Sequence, residues 1–236
     1  MEFNLADLFE AVVDNAADRT AIVAGDRRLT YRELDERATR FGRYLLDVGV
    51  QAGDHVGIYA FNRAEWVEAM IGCFKARAVP INVNYRYVVD ELRYLFDNAD
   101  LVALVFEAEF GDKVAAVLPG LPKLEHLLVL EDGTGTVTEG LAAVDYEHAL
   151  ASAATDRDFP PRSPEDLYIL YTGGTTGMPK GVMWHQEGIF FAAMGGGNYG
   201  GPGIETPAKI VDGITPAPSA SLALAPLMHG NAQWTM

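Results

Sequence analysis

Between positions 171 and 181 the chain runs Tyr-Thr-Gly-Gly-Thr-Thr-Gly-Met-Pro-Lys-Gly. Gly173, Gly174 and Gly177 allow a tight turn and a close approach of backbone to ligand. The hydroxyls of Thr172, Thr175 and Thr176, with a run of backbone N–H groups, offer donors to an anion. Lys180 adds one mobile positive charge, and the set suits a polyphosphate. Composition alone leaves a plain Gly/Thr hairpin or linker open as the other reading. A Walker A loop is excluded, because it needs glycine before its lysine and Ser or Thr after it, whereas Pro179 and Gly181 flank Lys180. A second cluster, Gly195, Gly197 and Gly200, matches G-x-G-x-x-G. The segment before it has a helical pattern and the segment after it is rich in Gly and Pro. The strand–turn–helix setting of a dinucleotide site is therefore missing.

The glycine loop needs rigid elements to hold it. An apolar run at 167–171 supplies a strand ahead of it. Upstream, helical and strand periods alternate. Leu5, Leu8, Phe9, Val12 and Val13 repeat at helical spacing behind a plausible Asn4 cap. Thr30 and Glu33 have capping-box spacing, Leu34, Ala38, Phe41 and Leu45 share one face, and Gly49 sits where a helix would stop. Asn62 and Glu65 repeat the capping-box spacing ahead of Trp66, Met70, Ile71 and Phe74. Strands are expected at 55–60, 79–83, 101–106 and 126–130, with helices at 91–98 and 110–118 between them. Strand and helix alternating at this spacing give an α/β fold with a mainly parallel sheet. Both sheet faces would be covered, which accounts for apolar runs in place of alternation. The stretch 195–203, with six glycines and one proline, is too poor in side chains to pack a core and is expected to be a mobile loop.

The 236 residues suffice for one large domain or two small ones, and 49% of them are hydrophobic, which excludes a wholly disordered chain. Lys and Arg number 18 against 33 Asp and Glu, a net charge of −15. So acidic a surface disfavours nucleic acid as a broad partner, yet backbone N–H groups can still hold a local phosphate. The single cysteine, Cys73, rules out an intrachain disulfide and a cysteine-rich zinc site, and is expected to be a core thiol. The five histidines show no paired metal-ligand spacing. No apolar run is long enough for a transmembrane segment. The opening Met-Glu-Phe-Asn lacks the order of a signal peptide, so the cytoplasm is the expected compartment.

Residues 172–181 resemble the phosphate-binding signature of the adenylate-forming superfamily, which includes acyl-CoA synthetases, firefly luciferase and peptide-synthetase adenylation domains. Serine is usual where this chain has Gly173. The Gly-Gly form followed by Met178-Pro179-Lys180-Gly181-Val182-Met183-Trp184 is similar to actinobacterial fatty-acyl-CoA synthetases, some of which act on steroid or branched carboxylates. Further matches fall in the family's order. Leu29-Thr30-Tyr31-Arg32-Glu33-Leu34 resembles its first core motif. Phe74-Lys75-Ala76-Arg77-Ala78-Val79-Pro80-Ile81-Asn82 resembles its second, with Arg77 in place of the usual glycine. Pro226-Leu227-Met228-His229-Gly230 resembles its fourth. The resemblance spans essentially the whole chain.

It implies the N-terminal part of a large domain built from layered parallel sheets flanked by helices. Residues 51–192 would form a nearly complete α/β subdomain ending in the phosphate loop and a following helix. Residues 193–214 would be the Gly-rich mobile loop. Residues 1–50 and 215–236 would belong to a second, incomplete sheet subdomain, with 222–227 as one of its strands. The resemblance also implies a reaction. A fatty or sterol-derived carboxylate is activated with ATP and Mg2+ to an acyl-adenylate, and the acyl group then passes to coenzyme A. In that scheme Thr172 helps to bind the metal. Gly173, Gly174, Thr175, Thr176, Gly177 and Lys180 hold the β- and γ-phosphates. Lys180 and His229 are the catalytic pair, and His229, Gly230, Asn231 and Trp234 follow the acyl pocket. By themselves Lys180 reads equally as a loop lysine, His229 as a structural histidine and Trp234 as plain core. One local departure is Gln186, where relatives often carry histidine; His185 stands one place early. The chain stops at Met236, short of the family's usual adenine, ribose and lysine segments, so a fragment or truncation inactive by itself is expected. The rival reading is a non-catalytic module that binds nucleotide or pyrophosphate, or that self-associates as a homo-oligomer.

Overall fold

The computed structural model describes residues 1–136, 139–174, 177–198, 200–216 and 220–235. A seven-stranded sheet in the order β7-β6-β5-β3-β4-β8-β9 forms its centre. The strands are β3 (His55–Tyr59), β4 (Val79–Asn82), β5 (Leu101–Glu107), β6 (His126–Leu130), β7 (Val144–Asp145), β8 (Leu167–Gly174) and β9 (Gly177–His185). All neighbours run parallel except β8 and β9, which form an antiparallel hairpin at one edge. A separate two-stranded ribbon pairs β1 (Thr20–Ala24) with β2 (Arg27–Thr30).

Successive strand residues point to opposite faces, and in the inner strands both faces are dry, whereas the edge strand β9 is largely exposed. Val56, Ile58, Val105, Leu128, Tyr168 and Leu170 pack into one core, against α2 (Tyr31–Asp47), α3 (Ala64–Lys75), α6 (Tyr146–Ser152) and α7 (Gln186–Ala193). Tyr59, Ile81, Leu104, Phe106, Ile169 and Tyr171 pack into the other, against α4 (Val89–Asn98) and α5 (Gly111–Val117). The apolar runs of the sequence are thus strands covered on both sides. Cys73 lies in the first core, and burial pushes its thiol up, as befits an inert side chain.

Local signals place the helix ends. Asn4 Oδ1 accepts from Ala6 N at 3.0 Å and starts α1 (Leu5–Ala16). Thr30 and Glu33 form a complete capping box on α2, and Gly49, at φ 95°, follows its end. The pair Asn62 and Glu65 is not a capping box. The cap position of α3 is Arg63, without a side-chain cap. Glu65 instead binds Arg27 and Arg63, and Asn62 reaches the distant 225–227 segment.

Among the described residues, Thr20–Ala24 and Arg27–Thr30 of the 1–50 segment form the separate two-stranded sheet, while α1 and α2 pack against the main one. Phe41 and Leu45 of α2 enter the main core, and α1 joins them through Ala6. Ion pairs complete the attachment. Buried Lys75 contacts Glu10 and, at 2.8 Å, Asp35. Arg162 reaches Asp7 and Glu10, each at 2.8 Å. Burial alone would raise the Glu10 carboxyl, but Arg162 and Lys75 outweigh it and hold it below its usual value. The segment 222–227 is irregular rather than a strand, with Leu222 and Leu224 exposed. No neighbouring strand is present there to supply a hydrogen-bonding ladder among the described residues. Of 193–214, residues Gly195–Gly197 and Pro207–Gly213 are short 3-10 turns.

Arg77 stands at φ 61°, a left-handed conformation that favours glycine and costs other residues about 1–2 kcal/mol. Its guanidinium offsets part of that cost through Asp166, with Nη2–Oδ1 at 2.8 Å and Nε 3.2 Å from both oxygens. Asp166 also accepts from Asn4 Nδ2 and Ser163 N. Arg77→Ala keeps the strain and loses the pair, whereas Arg77→Gly loses the pair and the strain together. Denaturant unfolding should therefore find Arg77→Gly more stable than Arg77→Ala by about 1 kcal/mol. Equal stabilities would show that the backbone relaxes out of the left-handed region.

Candidate active site

The phosphate-type segment is the β8–β9 hairpin. Thr172 lies directly opposite Lys180, so both side chains share one face, and Gly174 opposite Gly177 closes the ladder. Thr172, Gly173 and Lys180 are exposed. Thr175 and Thr176 lie outside the described residues. β4 pairs with β8 through Ile81 and Ile169, and β4 ends at Asn82. The hairpin therefore projects past its neighbour, beyond the carboxyl end of a parallel strand. Ligands of open α/β sheets bind at such ends.

His229 precedes α8 (Gly230–Trp234) in extended backbone, at φ −116° and ψ 139°. Its side chain is exposed and caps nothing, while its N–H donates to Pro226 O at 2.9 Å. Gly230 is needed for packing. A Cβ there would stand 2.5 Å from Leu170 Cδ2 and 2.7 Å from the Trp234 ring. Asn231 is exposed, and Trp234 is half-buried against the main core.

Three side-chain amides dock this segment, none of which stands out as a site residue in the sequence. Asn62 Oδ1 accepts from Leu227 N at 2.7 Å. Gln233 Nε2 donates to Leu227 O at 2.7 Å, and the Tyr168 hydroxyl donates to Gln233 Oε1. Asn82 Nδ2 donates to Met228 O at 2.7 Å and Tyr171 O at 2.8 Å, while its Oδ1 accepts from Tyr171 N at 2.7 Å. The available signal for Asn82 is a lone amide ending an apolar strand, Val79-Pro80-Ile81-Asn82. Hairpin and histidine turn, far apart in sequence, are thus brought together at one edge.

Burial raises the phenols of Tyr168 and Tyr171, so both stay neutral near pH 7 and act as packing groups. Tyr171 Oη donates to Asn98 Oδ1 at 2.9 Å. Gln186 is fully buried and accepts from Leu5 N at 2.9 Å, while His185 Nδ1 lies 2.9 Å from Glu165 O. The departure at 186 is therefore a structural link to α1. No group of three or more metal-ligating side chains occurs among the described residues. A dedicated protein cage for a metal is not built there. A hard cation that arrives on phosphate oxygens and keeps its waters fits the single exposed hydroxyl of Thr172.

Comparison with known proteins adds the family. The model for AMP-binding enzymes matches residues 9–236. A 3-oxocholest-4-en-26-oate–CoA ligase of Rhodococcus rhodochrous is 46% identical across all of this chain and 43% of its own length. A medium/long-chain-fatty-acid–CoA/3-oxocholest-4-en-26-oate–CoA ligase of Mycolicibacterium smegmatis is 45% identical over 99% of this chain, again 43% of its own. The chain therefore spans less than half the length of these relatives. Among solved structures, a putative long-chain-fatty-acid CoA ligase from Rhodopseudomonas palustris superposes with a TM-score of 0.79 at 27% identity, covering 99% of this chain and 54% of its own. An anthranilate CoA ligase in complex with anthranoyl-AMP gives 0.75 at 26% identity over 83% of this chain and 37% of its own. The chain belongs to the AMP-binding enzyme family.

Proposed function

We propose that these residues are the phosphate-holding part of an ATP-dependent acid–CoA ligase acting on fatty or sterol-derived carboxylates. The observation that carries this reading is the exposed Thr172–Lys180 hairpin face, joined through Asn82 to the His229 turn. Its support from relatives is the identity to ligases for cholestenoate and fatty acids.

A free carboxylate is a poor acylating agent. One of its oxygens attacks the α-phosphorus of ATP, the bond to the β-bridging oxygen breaks, and pyrophosphate leaves. Coenzyme A thiolate then attacks the acyl carbon and AMP departs with the bonding electron pair. The chain's own part in the first step is electrostatic. Hairpin N–H groups and Lys180 take up the charge that builds on pyrophosphate, in a geometry fixed beforehand. The exposed His229 is the residue whose imidazole N–H would donate a hydrogen bond to the acyl oxygen. Thr172 would help to hold Mg2+, which would supply neutralisation of phosphate charge.

The proposal is tested with an enzyme-length fusion, in which these 236 residues replace the matching portion of the Rhodococcus rhodochrous relative. The fusion should release AMP when given ATP, coenzyme A and a medium-chain, long-chain or sterol-derived acid. The 236 residues alone should not, because each missing site partner removes several kcal/mol of transition-state stabilisation. Sustained turnover by the shorter polypeptide would contradict this division of labour. The same cytoplasmic, small-molecule setting is proposed for the whole enzyme; no helix among the described residues is long and apolar enough to cross a membrane.

A further inference from the structure

Asn82 is 5% exposed and hydrogen-bonds through both ends of its amide. Both hydrogens of Nδ2 and one lone pair of Oδ1 are engaged, with all three distances between 2.7 and 2.8 Å. Two of the bonds go to the N–H and C=O of Tyr171, the residue before Thr172. The side chain thereby continues the β4–β8 pairing by one peptide-like group past Ile81 and Ile169, while the Asn82 backbone still pairs with Ile58 of β3. The third bond goes to Met228 O, the residue before His229. One planar amide thus fixes the root of the phosphate hairpin and the root of the histidine turn at once. Neither Thr172 nor His229 is otherwise anchored by its own side chain in the described hydrogen bonds.

We infer that Asn82 is a positioning residue for acyl-adenylate formation, setting the phosphate hairpin and His229 in register without touching substrate. The inference rests on the function proposed above. The chemical reason is that in-line attack needs the carboxylate and the α-phosphorus within near-contact distance, and misplacement of about 1 Å costs about a hundredfold in rate. An amide is the side chain that can do this. It can donate twice and accept once in a plane, whereas a carboxylate would face two carbonyl oxygens with no donor.

Two measurements on Asn82→Ala and Asn82→Asp test the inference. The first is amide hydrogen exchange on the 236-residue chain without ligand. Asn82→Ala should accelerate exchange at least tenfold in both 167–174 and 226–234, with β3, β5 and β6 unchanged. Asn82→Asp keeps the acceptor for Tyr171 N–H and loses both donors. It should therefore free 226–234 more than 167–174. Loosening of only one segment in Asn82→Ala, or of neither, would overturn the inference. The second measurement uses the fusion. Asn82→Ala should lower kcat for acyl-adenylate formation, per titrated active site, by thirtyfold or more. KM for ATP and for the acid should stay within threefold, and thioester formation from preformed acyl-adenylate should fall less. A residue that merely supports folding would reduce the active fraction but leave kcat per site unchanged, and that result would also overturn it. If the unsubstituted fusion makes no acyl-adenylate, the functional reading fails by itself, and the exchange pattern alone decides the clamp.

Discussion

Lys180→Ala in the enzyme-length fusion should slow acyl-adenylate formation by roughly a hundredfold or more, the usual effect of removing one preorganised donor to developing charge. Transfer of a preformed acyl-adenylate to coenzyme A should fall by less than threefold. The asymmetry follows from chemistry. Pyrophosphate is present only in the first half-reaction, and Lys180 stands on the hairpin face opposite Thr172, with no ion pair of its own among the described residues. ATP–pyrophosphate exchange, measured beside single-turnover thioester formation, separates the halves. Equal losses in both would make the lysine a support of the fold rather than a phosphate ligand.

Gly72→Ala should destabilise the chain by about 2–3 kcal/mol, although alanine is the better helix former by about 1 kcal/mol. A Cβ at Gly72 would stand 2.7 Å from both the Ala38 carbonyl oxygen and Phe41 Cδ1, and 3.1 Å from Gly42 N. Its counterpart Gly42 is as tight, with a Cβ 2.8 Å from Gly72 O. Two helix backbones meet here, and backbone cannot step aside as a flexible side chain can. The strain would spread into the core that seats α2 and α3 on the sheet. Gly188 in α7 is the control, because a Cβ there meets nothing within 4 Å. Gly188→Ala should stabilise by about 0.5–1 kcal/mol. Urea unfolding of both variants checks the pair, and a neutral Gly72→Ala would mean that α2 and α3 separate freely.

The contrast between these glycines marks what the sequence discloses. Caps at Asn4 and Thr30 were legible because their partners lie two and three residues away. β3, β4, β5, β6 and β8 were legible because both of their faces are buried, leaving unbroken apolar runs, whereas the exposed or half-buried β1, β2, β7 and β9 were not. The strand ahead of the glycine loop was legible as the apolar run 167–171, which lies within β8. Pairing across long separations was not. Asn62 and Glu65 have the spacing of a capping box, yet their partners are Leu227, Arg27 and Arg63. Nothing local distinguishes Asn82 from a strand-end turn residue; its two targets are 89 and 146 positions away. The attachment of α1 and α2 to the main core was illegible for the same reason. The ion pairs from Lys75 and Arg162 that tie α1 and α2 down join partners that no periodicity connects.

Arg77 shows the reverse case, where a local departure from the family's glycine has a structural counterpart. The backbone at Arg77 is left-handed, as a glycine would readily be, and the guanidinium grips Asp166. Gln186 is similar: its buried side chain serves the N-terminus of α1. Neither exchange touches the hairpin face or the histidine turn.

Direct detection of the intermediate is the sharpest test of the proposed chemistry. The fusion is mixed with ATP, Mg2+ and a fatty or 3-oxo-steroid acid, without coenzyme A, then quenched and analysed by mass spectrometry. Acyl-adenylate should accumulate to about one equivalent per active site, together with pyrophosphate, and disappear when coenzyme A is added. Hydrolysis of ATP without acyl-adenylate, or an acyl-adenylate yield unchanged by Lys180→Ala, would contradict the assignment of the β8–β9 hairpin as the phosphate site of an acid–CoA ligase.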